Sequence, residues 1–507
     1  MDQFLAGLQM LATPEVALAL FIGSIGGVII GAIPGVGAAV AIAILLPATF
    51  ALPPIVGLTM LLGIYGSSMY GGSLPAILIN TPGTPVNALT TYDGHPMTQR
   101  GEALRALGLA YGASFIGGIL SILALILLSP VLARVAPMFG SREIFLAALL
   151  GIVLVIIAHR GQTFAAGSLA AFGILLGTVG LEPVKYTQRF TYGFEFLTSG
   201  IDLIVVVTGV FALSQAFVLL VEPDQAPERQ RVEGNMFKAL LGVFGFKRIA
   251  VAGSGFGTLM GIIPGVGEFT AQFLTYTYAQ KTSKTPELFG KGNPEGLVAS
   301  ESANNAVPAA AMIPLLALGI PGEALTAMML SVFYVHNVVP GPGLFRDNMD
   351  FIYALYTSMI LLNVIVVIFV CLASNWLMRI IRIPTRFLGM TILLLSFIGI
   401  YSLRNSITDC AIGAGFGLLG LVLKRQNLPI VPVILGMVLG GIMEVKLRAA
   451  MARVKSPLDF VDRPIAAIIA AAIVLLIAGH IWGLIRERRA ALPEAAHDHD
   501  IHDSHTR

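Results

Sequence analysis

Charge is what this sequence has least of. Only 12% of its 507 residues are Asp, Glu, Lys or Arg, against 56% hydrophobic, and the mean hydropathy is +0.85. A chain folded in water carries about 25% charged residues, so half that fraction means that most of the surface does not meet water. Cysteine is nearly missing too. Cys371 and Cys410 both fall in apolar segments, too few for a disulfide framework or a zinc site. There is no HExxH pair, no P-loop Gly-Lys-Ser/Thr and no Gly-x-Ser-x-Gly elbow. No catalytic residue is assigned, and no cofactor is expected. The net charge is only +3, and Lys and Arg sit in short stretches between apolar runs, where topology signals belong. That pattern argues against a nucleic-acid partner, whose basic residues would cluster on one face. The start, Met1-Asp2-Gln3, lacks the basic region of a cleaved signal peptide, so the first apolar segment is expected to remain as an anchor.

What the sequence has in abundance is apolar runs close to the roughly 20 residues that cross a bilayer. They cover residues 16–33, 55–70, 104–128, 145–158, 165–181 and 201–221. They resume at 249–263, 297–318, 325–339, 351–377, 387–401, 407–423, 429–443 and 465–485. Several are too short to span alone. The expected fold is an all-α polytopic membrane protein with about eleven or twelve crossings plus broken or re-entrant helices. Residues 1–221 read as a first repeat, 222–247 as a hydrophilic linker and 248–445 as a second repeat. Residues 446–489 read as a loop with an extra transmembrane helix, and 490–507 as a disordered polar tail. The tail histidines at 497, 499, 502 and 505 read as part of that terminus rather than as a metal site.

The division into repeats rests on self-similarity. Gly23–Gly37 reads GSIGGVIIGAIPGVG and Gly253–Gly267 reads GSGFGTLMGIIPGVG, with nine of fifteen positions identical. LPAILINTPG, ending at Gly83, matches IPLLALGIPG, ending at Gly322, in the spacing of its prolines. Arg160 with Phe172-Gly173 matches Arg404 with Phe416-Gly417. The offsets are 230, 239 and 244, so three anchors follow one order. Duplicated halves are a common plan of secondary transporters, with the binding site near the bilayer midplane. The Gly-x-x-x-Gly ladders at Gly23, Gly27, Gly31 and at Gly253, Gly257, Gly261 read as helix packing.

The best-matching residues are Pro and Gly, which are poor helix formers. Pro34-Gly35, Pro82-Gly83, Pro264-Gly265 and Pro321-Gly322 interrupt apolar helices. Unpaired backbone in hydrocarbon costs several kcal/mol per group, so such breaks survive only where protein or a wet cavity covers them. N–H groups after a break lie at a helix N-terminus and favour an anion. Carbonyls before it favour a cation such as Na⁺. Four breaks are therefore expected to converge on one polar cavity, carried by a module that moves against the remaining helices. The expected substrate-binding residues are Pro34, Gly35, Gly37, Ser73, Asn80, Thr81, Pro82, Gly83 and Thr84 in the first half. In the second half they are Pro264, Gly265, Gly267, Asn304, Asn305, Pro321 and Gly322. No Lys or Arg lies in these motifs, so an anion is expected to be held by backbone N–H groups, hydroxyls and a co-bound cation. Glu268 stands where the first half has Ala38, Glu323 where it has Thr84, and Glu301 has no counterpart. Ionisable residues inside membrane segments are functional candidates by default. These three are the candidates for the coupling Na⁺ or H⁺, and no other metal is expected.

At these motifs the sequence resembles the large membrane subunit of the tripartite tricarboxylate transporter family, the TctA type. The stretches that carry the likeness are GAIPGVGAAVAIAILLPATF, IYGSSMYGGSLPAILINTPGTPVNALTTYDGHPM, GIIPGVGEFTAQF, ESANNAVPAAAMIPLLALGIPGEALTAMM and HNVVPGPGLF. The resemblance implies a multi-pass permease of the bacterial inner (cytoplasmic) membrane. It implies a small TctB-type membrane subunit and a periplasmic TctC-type solute-binding protein as partners. It implies symport of a tri- or dicarboxylate driven by an ion gradient. Against it stand an intramembrane enzyme, which the missing motifs disfavour, and a passive channel, which paired midplane breaks fit less well.

Overall fold

In the computed structural model, residues 2–159, 161–182, 185–221, 234–380, 384–452 and 456–502 are described. Arg160, the core of the expected linker at 222–233 and His505 lie outside them. Among the described residues the chain is almost wholly helical. Its strands are one antiparallel pair, Gly180–Leu181 with Gln188–Arg189.

Nine of the described helices are long and apolar enough to cross a membrane, from Pro14–Gly31 to Pro464–Ile485. Shorter apolar helices cover Gly37–Thr49, Thr163–Gly177 and Ala324–Val335. Their outward faces carry bare apolar side chains. Leu127 is 68% exposed, Leu372 73%, Leu475 71% and Ile407 79%. Leaving a Leu or Ile in water forgoes about 1.5–3 kcal/mol of burial. A surface covered in them is at rest only in hydrocarbon. Pro464–Ile485 is the extreme, with only 11% of its apolar window buried. That helix continues to His502, through much of the stretch the sequence reads as a polar tail.

The interior is built on close backbone approach. The glycine ladder of Pro14–Gly31 lies against Pro54–Ile79, where a methyl on Gly27 would stand 2.8 Å from Ile64 Cα. Ser67 Oγ donates to Gly23 O at 3.0 Å across this seam. In the second half Lys247–Ile262 packs in the same sense on Pro294–Leu318, where a methyl on Gly257 would stand 2.7 Å from Ala306 Cβ. Each long helix starts with Pro at its first position, Pro54 and Pro294, where a missing N–H costs nothing. Each ends in a left-handed cap, Asn80 with φ 56° and Gly319 with φ 71°. Asn and Gly are the residues that take this conformation most easily.

Pro54–Ile79 and Pro294–Leu318 cross antiparallel at the centre. Ile77 and Leu297 both touch Gly94, Ser73 bonds Glu301, and Gly66 shares a small pocket with Pro308. The peripheral helices are exchanged. Thr163–Gly177 packs on Val431–Met451, with Gly436 fitted against Ala170, and Ile407–Arg425 packs on Leu203–Val221, with Gly420 against Ser214. Each of these contacts joins a segment of the first half to one of the second. Ahead of Lys247, the end of the expected hydrophilic linker forms a short helix, Met236–Leu241, seated on Gly108 and Gly112 of Ala103–Val135.

Candidate functional site

All four Pro-Gly breaks lie between helix ends rather than inside continuous helices. Residues 32–36 separate Gly27–Gly31 from Gly37–Thr49, and 263–266 separate Lys247–Ile262 from Gly267–Thr282. Gly35 and Gly37 have φ of +79° and +65°, and Gly265 and Gly267 have +82° and +68°. L side chains reach that region only at a cost of roughly 1–2 kcal/mol, which is why both loops read Pro-Gly-Val-Gly. The loops are pinned by one bond type. Gly35 N donates to Gly83 O at 3.0 Å, and Gly265 N donates to Gly322 O at 2.6 Å. So the second break of each half supplies the carbonyl that holds the first.

These joints frame a cavity of about 780 Å³. Gly35, Gly37, Thr84, Gly265, Gly267, Glu268 and Glu323 are on its wall, together with Ser68, Pro85, Thr270, Ala324 and apolar residues such as Phe211 and Leu435. The helices Gly37–Thr49, Gly267–Thr282 and Ala324–Val335 all begin at the wall, so their unpaired N–H groups gather there. Glu323 precedes Ala324–Val335, its N–H bonded to Thr326 Oγ1 at 3.0 Å, while its Oε1 has no partner among the described residues although the residue is only 9% exposed. Glu268, 7% exposed, receives the Tyr65 hydroxyl at 3.3 Å.

The other expected site residues lie elsewhere. Pro34, Pro82, Gly83, Pro264, Pro321 and Gly322 belong to the loops but do not line the cavity. Asn80 and Thr81 form the cap of Pro54–Ile79, with Thr81 Oγ1 bonded to Ile79 O at 3.3 Å. Ser73 and Glu301 belong to a separate, fully buried cluster. Glu301 Oε1 accepts from Thr90 Oγ1 at 2.5 Å, and its Oε2 accepts from Ser73 Oγ at 2.8 Å and Ser114 Oγ at 2.9 Å. Asn305 supports that cluster through Ser114 at 2.8 Å. Asn304 Oδ1 accepts from Gln272, which also holds Val86 O at 2.7 Å.

Three polar groups of the wall come from outside the motifs. His159 ends Ser141–Ala158, its Nδ1 2.7 Å from Val155 O. Gln215 projects from Leu203–Val221, and Lys424 from the end of Ile407–Arg425; Lys424 Nζ donates to Gln215 Oε1 at 2.7 Å. A cation thus lines the cavity, although no motif supplies it. The motifs indeed contain none; the helices packed around them bring it in.

Residues 17–435 match the tripartite tricarboxylate transporter TctA family. The chain belongs to that family. It is 36% identical over 466 residues to an uncharacterised 52.8 kDa protein of the TAR-I ttuC' 3' region of Agrobacterium vitis, covering 91% of this chain and 92% of that one. It is also 36% identical over 213 residues to an uncharacterised protein of the TAR-II ttuC' 3' region of the same organism, covering 42% of this chain and 88% of the relative. No solved structure matches the chain. The TctA family match spans both Pro-Gly-Val-Gly loops and the whole cavity wall. This TctA-family chain is therefore a multi-pass membrane subunit of a tripartite transporter.

Proposed function

We propose that the chain is the large permease subunit of a secondary, ion-gradient-driven importer of carboxylates, fed by a periplasmic binding protein and completed by a small membrane subunit in a bacterial cytoplasmic membrane. The substrate sits in the 780 Å³ cavity between the two halves, and Glu268 and Glu323 take the coupling Na⁺ or H⁺. One observation carries this reading: loop residues next to all four breaks share a single cavity wall, where helix N-termini face two buried carboxylates. Helix N-termini favour an anion. Carboxylates beside that anion repel it unless a cation or proton is also present, which is the physical content of symport. The antiparallel crossing of Pro54–Ile79 and Pro294–Leu318 supports an inverted repeat, the arrangement in which rocking of one unit exposes the site to either side in turn.

The test is uptake of labelled citrate into proteoliposomes that hold the chain with its small subunit, the binding protein being added outside. Accumulation is expected only with an imposed Na⁺ or pH gradient and only with binding protein present. Equilibration without a gradient would make the chain a channel, and chemical conversion of the solute would make it an enzyme.

A further inference from the structure

We propose that Lys424 and Gln215 form the anion end of a two-ended cavity, with one substrate carboxylate on Lys424 and a second on the helix N-terminus after Gly35. This rests on the carboxylate-transport reading and adds to it two residues and an orientation.

Lys424 is the one Lys or Arg among the described residues of the cavity wall. Its neighbour Arg425 is exposed and does not reach the wall, as a topology-marking residue would behave. Lys424 instead turns inward and spends its donor on a neutral amide, Gln215 Oε1 at 2.7 Å. No carboxylate pairs with it among the described residues. A buried-side cation held by a neutral acceptor is poised for exchange, because a carboxylate makes the stronger, charge-assisted bond. Gln215 is only 7% exposed, and its Nε2 lies over the first break, 3.0 Å from where a methyl on Gly35 would stand. The amide therefore links Lys424 to the start of Gly37–Thr49, and both donors face one end of the cavity.

The wall also carries charge of the opposite sign. Glu268, in the first turn of Gly267–Thr282, and Glu323, just before Ala324–Val335, stand where the first half carries Ala38 and Thr84. Like charges disfavour each other at close range, so substrate carboxylates are directed to the Gly35 end and the coupling cation to the Gly265 end. Gln215 and Lys424 also line a second pocket of about 180 Å³ that contains Arg425 and Val221. The pair thus forms the partition between the cavity and that pocket.

The experiment measures thermal stabilisation of the full-length protein in detergent by citrate, succinate and acetate. Wild type is expected to respond to citrate and succinate at concentrations at least about 10-fold below those needed for acetate, the effect of one added charge-assisted bond. Lys424→Met is expected to remove that advantage, and Lys424→Arg to keep it. Gln215→Glu places a resident carboxylate on Lys424 and is expected to weaken citrate about 10-fold or more; it carries the test should Lys424→Met not fold. Wild-type discrimination that persists in Lys424→Met, or citrate binding unchanged in Gln215→Glu, would overturn the two-ended cavity and leave the transport reading standing. A wild-type protein indifferent to all three acids would overturn both.

Discussion

Gly35 donates its backbone N–H to the carbonyl of Gly83 at 3.0 Å, and Gly265 makes the same bond to Gly322. Each half thereby ties its first break to its second. The joint pairs one N–H and one carbonyl in each half that would otherwise cost several kcal/mol each in hydrocarbon.

The joint tolerates no side chain. A methyl on Gly83 would stand 2.6 Å from Gly72 Cα and clash with Gly31 O, both backbone atoms that cannot swing away. Gly83→Ala is expected to cost about 1–3 kcal/mol, as overpacking does, and to abolish uptake. Gly26→Ala meets nothing within 4 Å and serves as the control. Thermal unfolding of both variants checks this; an unshifted midpoint for Gly83→Ala would show that the joint is not tight.

The three acidic candidates separate by position. Glu268 and Glu323 line the cavity, whereas Glu301 is enclosed by Thr90, Ser73 and Ser114 away from it. Glu268→Gln and Glu323→Gln are expected to keep the fold and to lower gradient-driven uptake about 10-fold or more, the loss of one ionic contact. Glu301→Gln is expected to act on stability instead, by about 1–3 kcal/mol, because it disturbs three buried hydroxyl bonds. Gradient-driven uptake and unfolding midpoints, measured together, decide; normal stability with lost coupling in Glu301→Gln would reverse the assignment.

The Pro-Gly-Val-Gly loops were legible because their constraint is local. Proline and left-handed glycine break a helix wherever they stand, and hydrocarbon makes the break costly. The likeness of the two halves carried the pairing of loops. Ser73 lies one helical turn beyond Met69, off the cavity wall, where its hydroxyl reaches Glu301, a separation that the motif spacing does not reveal. Lys424, Gln215 and His159 could not be found from the motifs at all. They lie more than 40 residues from any break, and only the packing of Ser141–Ala158, Leu203–Val221 and Ile407–Arg425 around the loops delivers them. In the sequence, Lys424 and Arg425 simply follow the apolar run 407–423, the usual pattern at a membrane face.

Another contact between the halves lies outside the cavity. Asp93 Oδ1 accepts from Gly292 N at 2.8 Å and Asn293 N at 2.7 Å, and its Oδ2 accepts from Tyr276 at 2.7 Å, while Arg100 holds the carbonyls of Lys291 and Gly292. Asp93→Ala strands two amides and a hydroxyl and is expected to cost about 2–4 kcal/mol, whereas Tyr276→Phe removes one bond and is expected to cost about 0.5–1.5. Asp93→Asn, which keeps an acceptor for the amides, should fall between. Unfolding in denaturant gives the order, and equal losses for all three would mean that the clamp bears no load.

If the 780 Å³ cavity is the solute site, its wall is wet and the Glu301 cluster is dry. Val86 and Leu428 line the cavity, and Ser73 is fully buried beside Glu301. With Cys371 and Cys410 first replaced by alanine, Val86→Cys and Leu428→Cys are expected to react with a small anionic thiol reagent, helped by the cation at Lys424. Ser73→Cys is expected not to react, since a thiol without water access cannot form the attacking thiolate. Excess citrate should protect the two cavity cysteines by occupying the same space. Labelling of Ser73→Cys at the rate of Val86→Cys would show that water runs through to Glu301, and would return that carboxylate to the site. Labelling of the cavity cysteines that citrate leaves untouched would instead remove the solute from this cavity.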